Sequence, residues 1–164
     1  MQVRYERRTL PFSTILLLGL LVGTLDITAA STDLYLNTGK GPEVVLKYVA
    51  SGVFGKEAFT GGSKMIWFGL LFHYLIAMGW SLLFYVLFLM IPFISKYPII
   101  SGILYGLFIW TIMNRLVVPN SNVNVPKPAH FDWFKAGKNA LILICMIGLP
   151  LSLLSKKYSY IEKA

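Results

Sequence analysis

The chain is poor in the groups from which soluble chemistry is usually built. Of its 164 residues one is cysteine, two are histidine and seven are acidic. A lone thiol, Cys145, excludes an intramolecular disulfide, and no Cys-x-x-Cys pair or His-Glu-x-x-His run is present to hold a metal. A Gly-rich phosphate loop and a Ser/His/Asp nucleophile signature are missing too, so the sequence leans against an enzyme and implies no metal and no cofactor. Charged residues make up only 13% of the chain, about half of what a soluble domain carries. Internal repeats and low-complexity tracts are absent.

Apolar side chains fill that space: 56% of residues are hydrophobic and the mean hydropathy is +0.66. Scarce charge with long apolar runs selects a membrane protein, here one domain covering residues 1–164. The net charge of +8 does not point to nucleic acid. Its lysines and arginines are scattered over both ends and every loop rather than gathered in a stripe, which suits a rim facing anionic lipid headgroups.

Four runs approach the ~20 residues needed to cross a ~30 Å hydrocarbon core, namely about 10–30, 65–93, 98–118 and 139–155. In lipid each must be helical, because the backbone finds no water to bond. The expected architecture is therefore an all-α, polytopic four-helix bundle. Pro92 and Pro98 bracket a tight turn that makes spans two and three an antiparallel hairpin. Between spans one and two, Pro42 and Glu43 mark a helix start, and Val44, Val45, Leu46, Tyr48 and Val49 follow. This predicts a short interfacial or re-entrant helix over about 42–54. The loop from Pro119 to Lys138 carries His130-Phe131-Asp132-Trp133-Phe134, whose aromatics suit a membrane interface.

Four spans put both termini on one side. Arg4, Arg7, Arg8, Lys96, Lys156, Lys157 and Lys163 share it, against Lys40, Lys47, Lys56, Lys64, Lys127, Lys135 and Lys138 opposite. The totals tie, and the arginines crowding span one place the termini in the cytoplasm. Thr28-Ala29-Ala30 after an apolar core also has the form of a signal-peptide cleavage site, although Asp26 lies just before it and the run is long enough to span.

Small residues form a stripe on every span. Gly19, Gly23, Asp26 and Ala30 share a face of the first, and Gly69, His73, Ile76 and Trp80 a face of the second. Gly102 and Gly106 lead to Ile109 and Met113 on the third, while Cys145, Gly148 and Ser152 align on the fourth, where Pro150 predicts a kink. Such stripes let helix backbones approach closely. Two stripes include an ionisable residue. Asp26 lies about 6 Å and His73 about 12 Å inside the outer membrane boundary, so they are expected to face the interior and to meet. An ionisable group in hydrocarbon costs at least ~2.5–3.5 kcal/mol and marks a functional-site candidate. Asn114 and Arg115 complete the polar set near the outer end of span three, although Arg115 falls opposite the glycine stripe and is able to snorkel to the headgroups. His130 and Asp132 are candidates in the outer loop. An Asp–His pair at such depth serves structure, a proton-linked or ligand site, or a metal or haem; the last lacks a second transmembrane histidine.

Ser51-Gly52, Gly55, Ala58-Phe59 and Gly61-Gly62 precede Gly69, His73, Ala77 and Tyr85 in span two. Pro98, Gly102, Tyr105-Gly106, Met113 and Val117-Val118-Pro119 follow, with Gly148-Leu149-Pro150 in span four. In these segments, over about residues 12–155, the chain resembles a family of small uncharacterised bacterial inner-membrane proteins with four predicted spans. Members carry a histidine in the last helix that Ala140–Leu149 lacks. The resemblance implies a four-span fold in the bacterial inner membrane and brings no activity. Three functions stay open: a structural or partner-binding membrane subunit, a small oligomeric transporter or channel component using Asp26 and His73, and an outer-leaflet lipid or quinone enzyme. The expected partners are membrane lipids, a second copy of the chain or another membrane protein, and not nucleic acid.

Overall fold

The computed structural model describes residues 5–7, 9–123 and 132–162. In chain order these form β1 (Tyr5–Arg7), α1 (Phe12–Thr38), α2 (Pro42–Phe54), α3 (Glu57–Thr60), α4 (Ser63–Met90), α5 (Pro92–Lys96), α6 (Pro98–Ile112), α7 (Trp133–Leu143), α8 (Leu149–Ser159) and β2 (Tyr160–Glu162). Helix α6 runs on to Asn120, and α7 joins α8 through Ile144–Gly148. Four helices are thus long and apolar enough to cross a bilayer: Phe12–Thr38, Ser63–Met90, Pro98–Asn120 and Trp133–Ser159. The fold is an all-α membrane bundle, with α2 between spans one and two.

The ends of the helices follow from proline and glycine. Proline at the first helical position starts α2, α5 and α6, where a missing N–H costs nothing. Ile91, ahead of Pro92, is extended and ends α4 at Met90 rather than Phe93. Helix α1 continues past Ala30 to Thr38 and stops where Gly39 takes a left-handed conformation (φ 71°) and donates to the Tyr35 carbonyl. Its last turns are polar, with Thr28, Thr32 and Thr38 each bonded to the carbonyl four residues back. Span four begins at Trp133, earlier than Asn139, because the Asp132 carboxylate accepts the Lys135 N–H (2.9 Å) and caps α7.

Two turns depart from α geometry. The Val118 N–H reaches back five residues to Met113, and the Leu149 N–H does the same to Ile144. Pro119 and Pro150 follow immediately. Proline has no N–H for the carbonyl four residues back and clashes with it, and a widened π turn just ahead absorbs that conflict.

Glycines set the pairing. A Cβ at Gly23 would meet Ala77 and Tyr74 at 3.0 Å, and one at Gly19 would meet Met78 at 3.2 Å, so α1 and α4 pack antiparallel and close. Gly102 faces Gly148 and Leu149, and Gly106 faces Ile144, which joins α6 to the α7–α8 helix in the same way. Gly69 receives the backbone of Leu46, drawing α2 onto α4, and the Phe54 ring rests on Phe68 and Phe72 (centroids 5.1 and 6.0 Å). Asn122 bonds the Gly52 carbonyl through its backbone N–H (3.0 Å) and the Val53 carbonyl through Nδ2 (2.8 Å), which ties the segment after α6 to the C-terminus of α2.

Side chains fill the end of the bundle nearest β1 and β2. Ile15, Leu18 and Val22 of α1 meet Phe84 and Phe88 of α4, Tyr105 and Ile109 of α6, and Ile147 and Leu151 behind them. The stretch before the possible cleavage site is therefore part of the core. The Ser152 hydroxyl donates to the Pro98 carbonyl (2.7 Å), and the Leu10 N–H donates to the Tyr85 hydroxyl. Strands β1 and β2 pair antiparallel, with Tyr5 opposite Glu162, and join the two ends of the chain on one side. At the opposite end the helices part, and a cavity opens beneath α2.

Candidate functional site

That cavity has two adjoining parts. The inner part, about 300 Å³, is a largely apolar cleft between α1, α2, α4 and α6, and both Asp26 and His73 line it. The outer part, about 620 Å³, is a vestibule with mainly apolar walls in which Asp33, Asn114, Asp132, Lys135 and Lys138 are set. Asp26, Ala30, Val45, Tyr48 and Leu143 border both, so Asp26 stands at the junction. Volumes of this order are those of small-molecule sites.

His73 is 8% exposed and its Nε2 donates to the Gly23 carbonyl of α1 at 2.7 Å. The absence of a side chain at Gly23 brings that carbonyl within reach. The bond fixes the ring orientation and leaves Nδ1 as an acceptor in the neutral ring or a donor in the imidazolium. Asp26 follows Gly23 by three residues, so it lies on the same side of α1 as the carbonyl that holds His73. The two residues line one cleft, with the imidazole anchored and Asp26 bordering the vestibule as well. Ala77 and Ile76 of α4 continue the apolar wall, and Trp80 closes it with its ring edge-on to Tyr105 and Phe108.

The vestibule is built from groups already partly committed. Lys138 Nζ lies 2.7 Å from Asp33, joining α7 to the polar end of α1. Asp132 caps α7. Asn114 donates to the Trp110 carbonyl (2.8 Å). Burial pushes the Tyr48 phenol above its ordinary range, so at neutral pH it is a hydroxyl able to donate. The Trp110 indole N–H is buried and has no acceptor among the described residues, which leaves a donor unmet in a residue of the vestibule wall. Both π turns contribute to the walls, Met113 and Val117 from the first and Ile147 from the second.

Not every candidate residue gathers here. Asp26 and His73 line one cleft without a hydrogen bond or ion pair between them, Asn114 joins Asp26 at the vestibule, and Asp132 lies on its rim while holding the start of α7. Arg115 is exposed and lines neither part, since it points away from the glycine stripe of α6. His130 lies outside the described residues. Gly19, Gly23, Gly69, Gly102, Gly106 and Gly148 all lie at helix contacts. Among the described residues no three His, Cys, Asp or Glu side chains are grouped to hold a metal. Asp33, Lys138 and Trp110 had not been singled out in the sequence. Asp33 follows Asp26 by seven residues, two helical turns, and Trp110 precedes Asn114 by four, so both spacings become visible once the helices are drawn to their full length. No protein-family model, curated protein or solved structure matches this chain.

Proposed function

We propose that this protein is a small-molecule-binding protein of the bacterial inner membrane, with cytoplasmic termini and a proton-linked site formed by Asp26 and His73. The observation that carries this reading is the shared cleft. Two ionisable side chains from different helices line one apolar cavity, and that cavity adjoins a vestibule in whose walls charged groups are set. Ionisable groups inside membrane bundles mark ion, proton and substrate paths more often than ornament. Protonation of the pair is set in a field that includes Asp33, Tyr48, Asp132, Lys135 and Lys138, all on the vestibule side. Such a site suits a small transporter or channel component. Four spans make a thin wall, so an oligomer of this chain is the expected working unit.

A second reading, a structural or partner-binding membrane subunit, draws on one observation: the His73 Nε2 is satisfied by Gly23 and so helps to lock α1 to α4. The lipid or quinone enzyme gains no support from the geometry. The two supported readings separate in one experiment. The protein is extracted in native lipid, its mass is measured intact, and Asp26→Asn and His73→Gln are carried alongside. A small molecule that co-purifies with the parent and is lost from both folded variants supports the binding site. A bare protein of defined oligomeric state, with His73→Gln reduced in membrane abundance, supports the structural subunit.

A further inference from the structure

The binding reading leaves the ligand unnamed, and the groups around Asp26 narrow its chemistry. Resting on that reading, we propose that the cleft takes an organic cation: a compact apolar body seated in the inner cleft, with an ammonium group held at Asp26. Four observations converge. First, Asp26 has no Lys or Arg within ion-pair distance among the described residues, whereas Asp33 beside it is held by Lys138 at 2.7 Å. His73, the neighbouring group able to take a proton, is anchored on the Gly23 carbonyl, and a carboxylate beside an apolar cleft with no Lys or Arg partner calls for a cation from outside. Second, the charges on the way to Asp26 balance, Asp33 and Asp132 against Lys135 and Lys138, so no net positive charge on that path repels a cation. Third, aromatic faces are stationed along the same path. Tyr48 borders both parts of the cavity, Trp80 lies in the cleft and Trp110 in the vestibule. Aromatic rings attract organic ammoniums. Fourth, the inner cleft of about 300 Å³ holds roughly ten non-hydrogen atoms at the ~30 Å³ that each water-sized group occupies. That is a small aryl or alkyl body, not a whole diacyl lipid.

The probe set is 4-phenylbutylammonium, 4-phenylbutyrate and 4-phenylbutanol, one skeleton carrying a positive, a negative and no charge. Binding is read by the intrinsic fluorescence of Trp80 and Trp110 in a Trp67→Phe, Trp133→Phe background, in phosphatidylglycerol nanodiscs against empty discs. We expect saturable binding of the ammonium, with the carboxylate at least about tenfold weaker. Removing one partner of a desolvated charge pair typically costs about thirtyfold or more. Asp26→Asn should remove the charge preference by that order, and Asp26→Glu should keep it. Ala30→Phe, which adds bulk at the junction of the two parts, should weaken all three probes alike. A carboxylate that binds as well as the ammonium, or a preference that survives Asp26→Asn, overturns the proposal. If none of the probes binds above empty discs while the protein stays folded, the binding reading itself fails with it. Discs containing phosphatidylethanolamine identify the source of the cation: competition with 4-phenylbutylammonium shows that a lipid headgroup amine supplies the same chemistry, and its absence shows a soluble cation.

Discussion

Replacing Gly69 with alanine tests whether a single missing side chain holds α2 over the cleft. The added Cβ would lie 2.6 Å from the Leu46 carbonyl carbon, 3.0 Å from its Cα and closest of all to its carbonyl oxygen. Ordinary carbon contacts need about 3.5–4.0 Å, so the helices must part by about 1 Å. The obstacle is backbone, which cannot rotate aside as a side chain can. Overpacking of this kind costs about 1–3 kcal/mol, and the backbone obstacle argues for the upper part of that range. Alanine returns up to about 1 kcal/mol in helix propensity, leaving a net loss of about 2 kcal/mol. For a chain of this size that is about 4–8 °C in Tm. Gly79, on the same helix, has nothing within 4 Å of a built Cβ, and Gly79→Ala should be neutral or slightly stabilising. The assay is thermal unfolding in detergent of both variants side by side, with ligand binding as a second readout. Because Val45 and Tyr48 ride on α2, Gly69→Ala should lose binding that Gly79→Ala retains. Equal melting temperatures for the two variants, or a larger loss at Gly79, would refute the close α2–α4 packing.

Two further outcomes follow from the same geometry. In a Cys145→Ser background, Val45→Cys should react with a membrane-impermeant maleimide through the vestibule, while Phe54→Cys, seated against Phe68 and Phe72, should resist it; the reverse pattern would place α2 the other way round. The Asp33–Lys138 pair is about 30% exposed at each side chain, so a double-mutant cycle should give a coupling below about 1 kcal/mol that fades with added salt, and a larger, salt-insensitive value would mean a drier vestibule than described.

Much of the bundle was legible in the residues, for a physical reason. A bilayer demands long apolar helices, and Pro42, Pro92 and Pro98 announce where helices start. The ends of the first and last spans were less visible, since hydropathy reports where lipid stops and not where helix stops. Helix α1 outlives its apolar run by a polar stretch that ends at Gly39, and α7 starts before its own apolar run because Asp132 caps it. Asp132 entered the sequence reading as a loop candidate for that reason. The stripe containing Gly23 and Asp26 and the one containing Gly69 and His73 did foreshadow a shared face, because helical spacing alone puts those residues together. The vestibule did not show, as it is formed by Asp33, Trp110 and Lys138 from three separate helices. Nor did the π turns, although Pro119 and Pro150 supply their cause.

The pairing of β1 with β2 makes the chain a nearly closed circuit of helices. In such a circuit the order of packing does not depend on where the polypeptide is cut. A short linker joining the two strands, with new ends opened at the Gly39–Gly41 turn between α1 and α2, would preserve every helix contact described above while transferring the free ends to the mouth of the vestibule. Circular permutation would thereby place a fluorescent or affinity tag beside the site without lengthening any loop that shapes it.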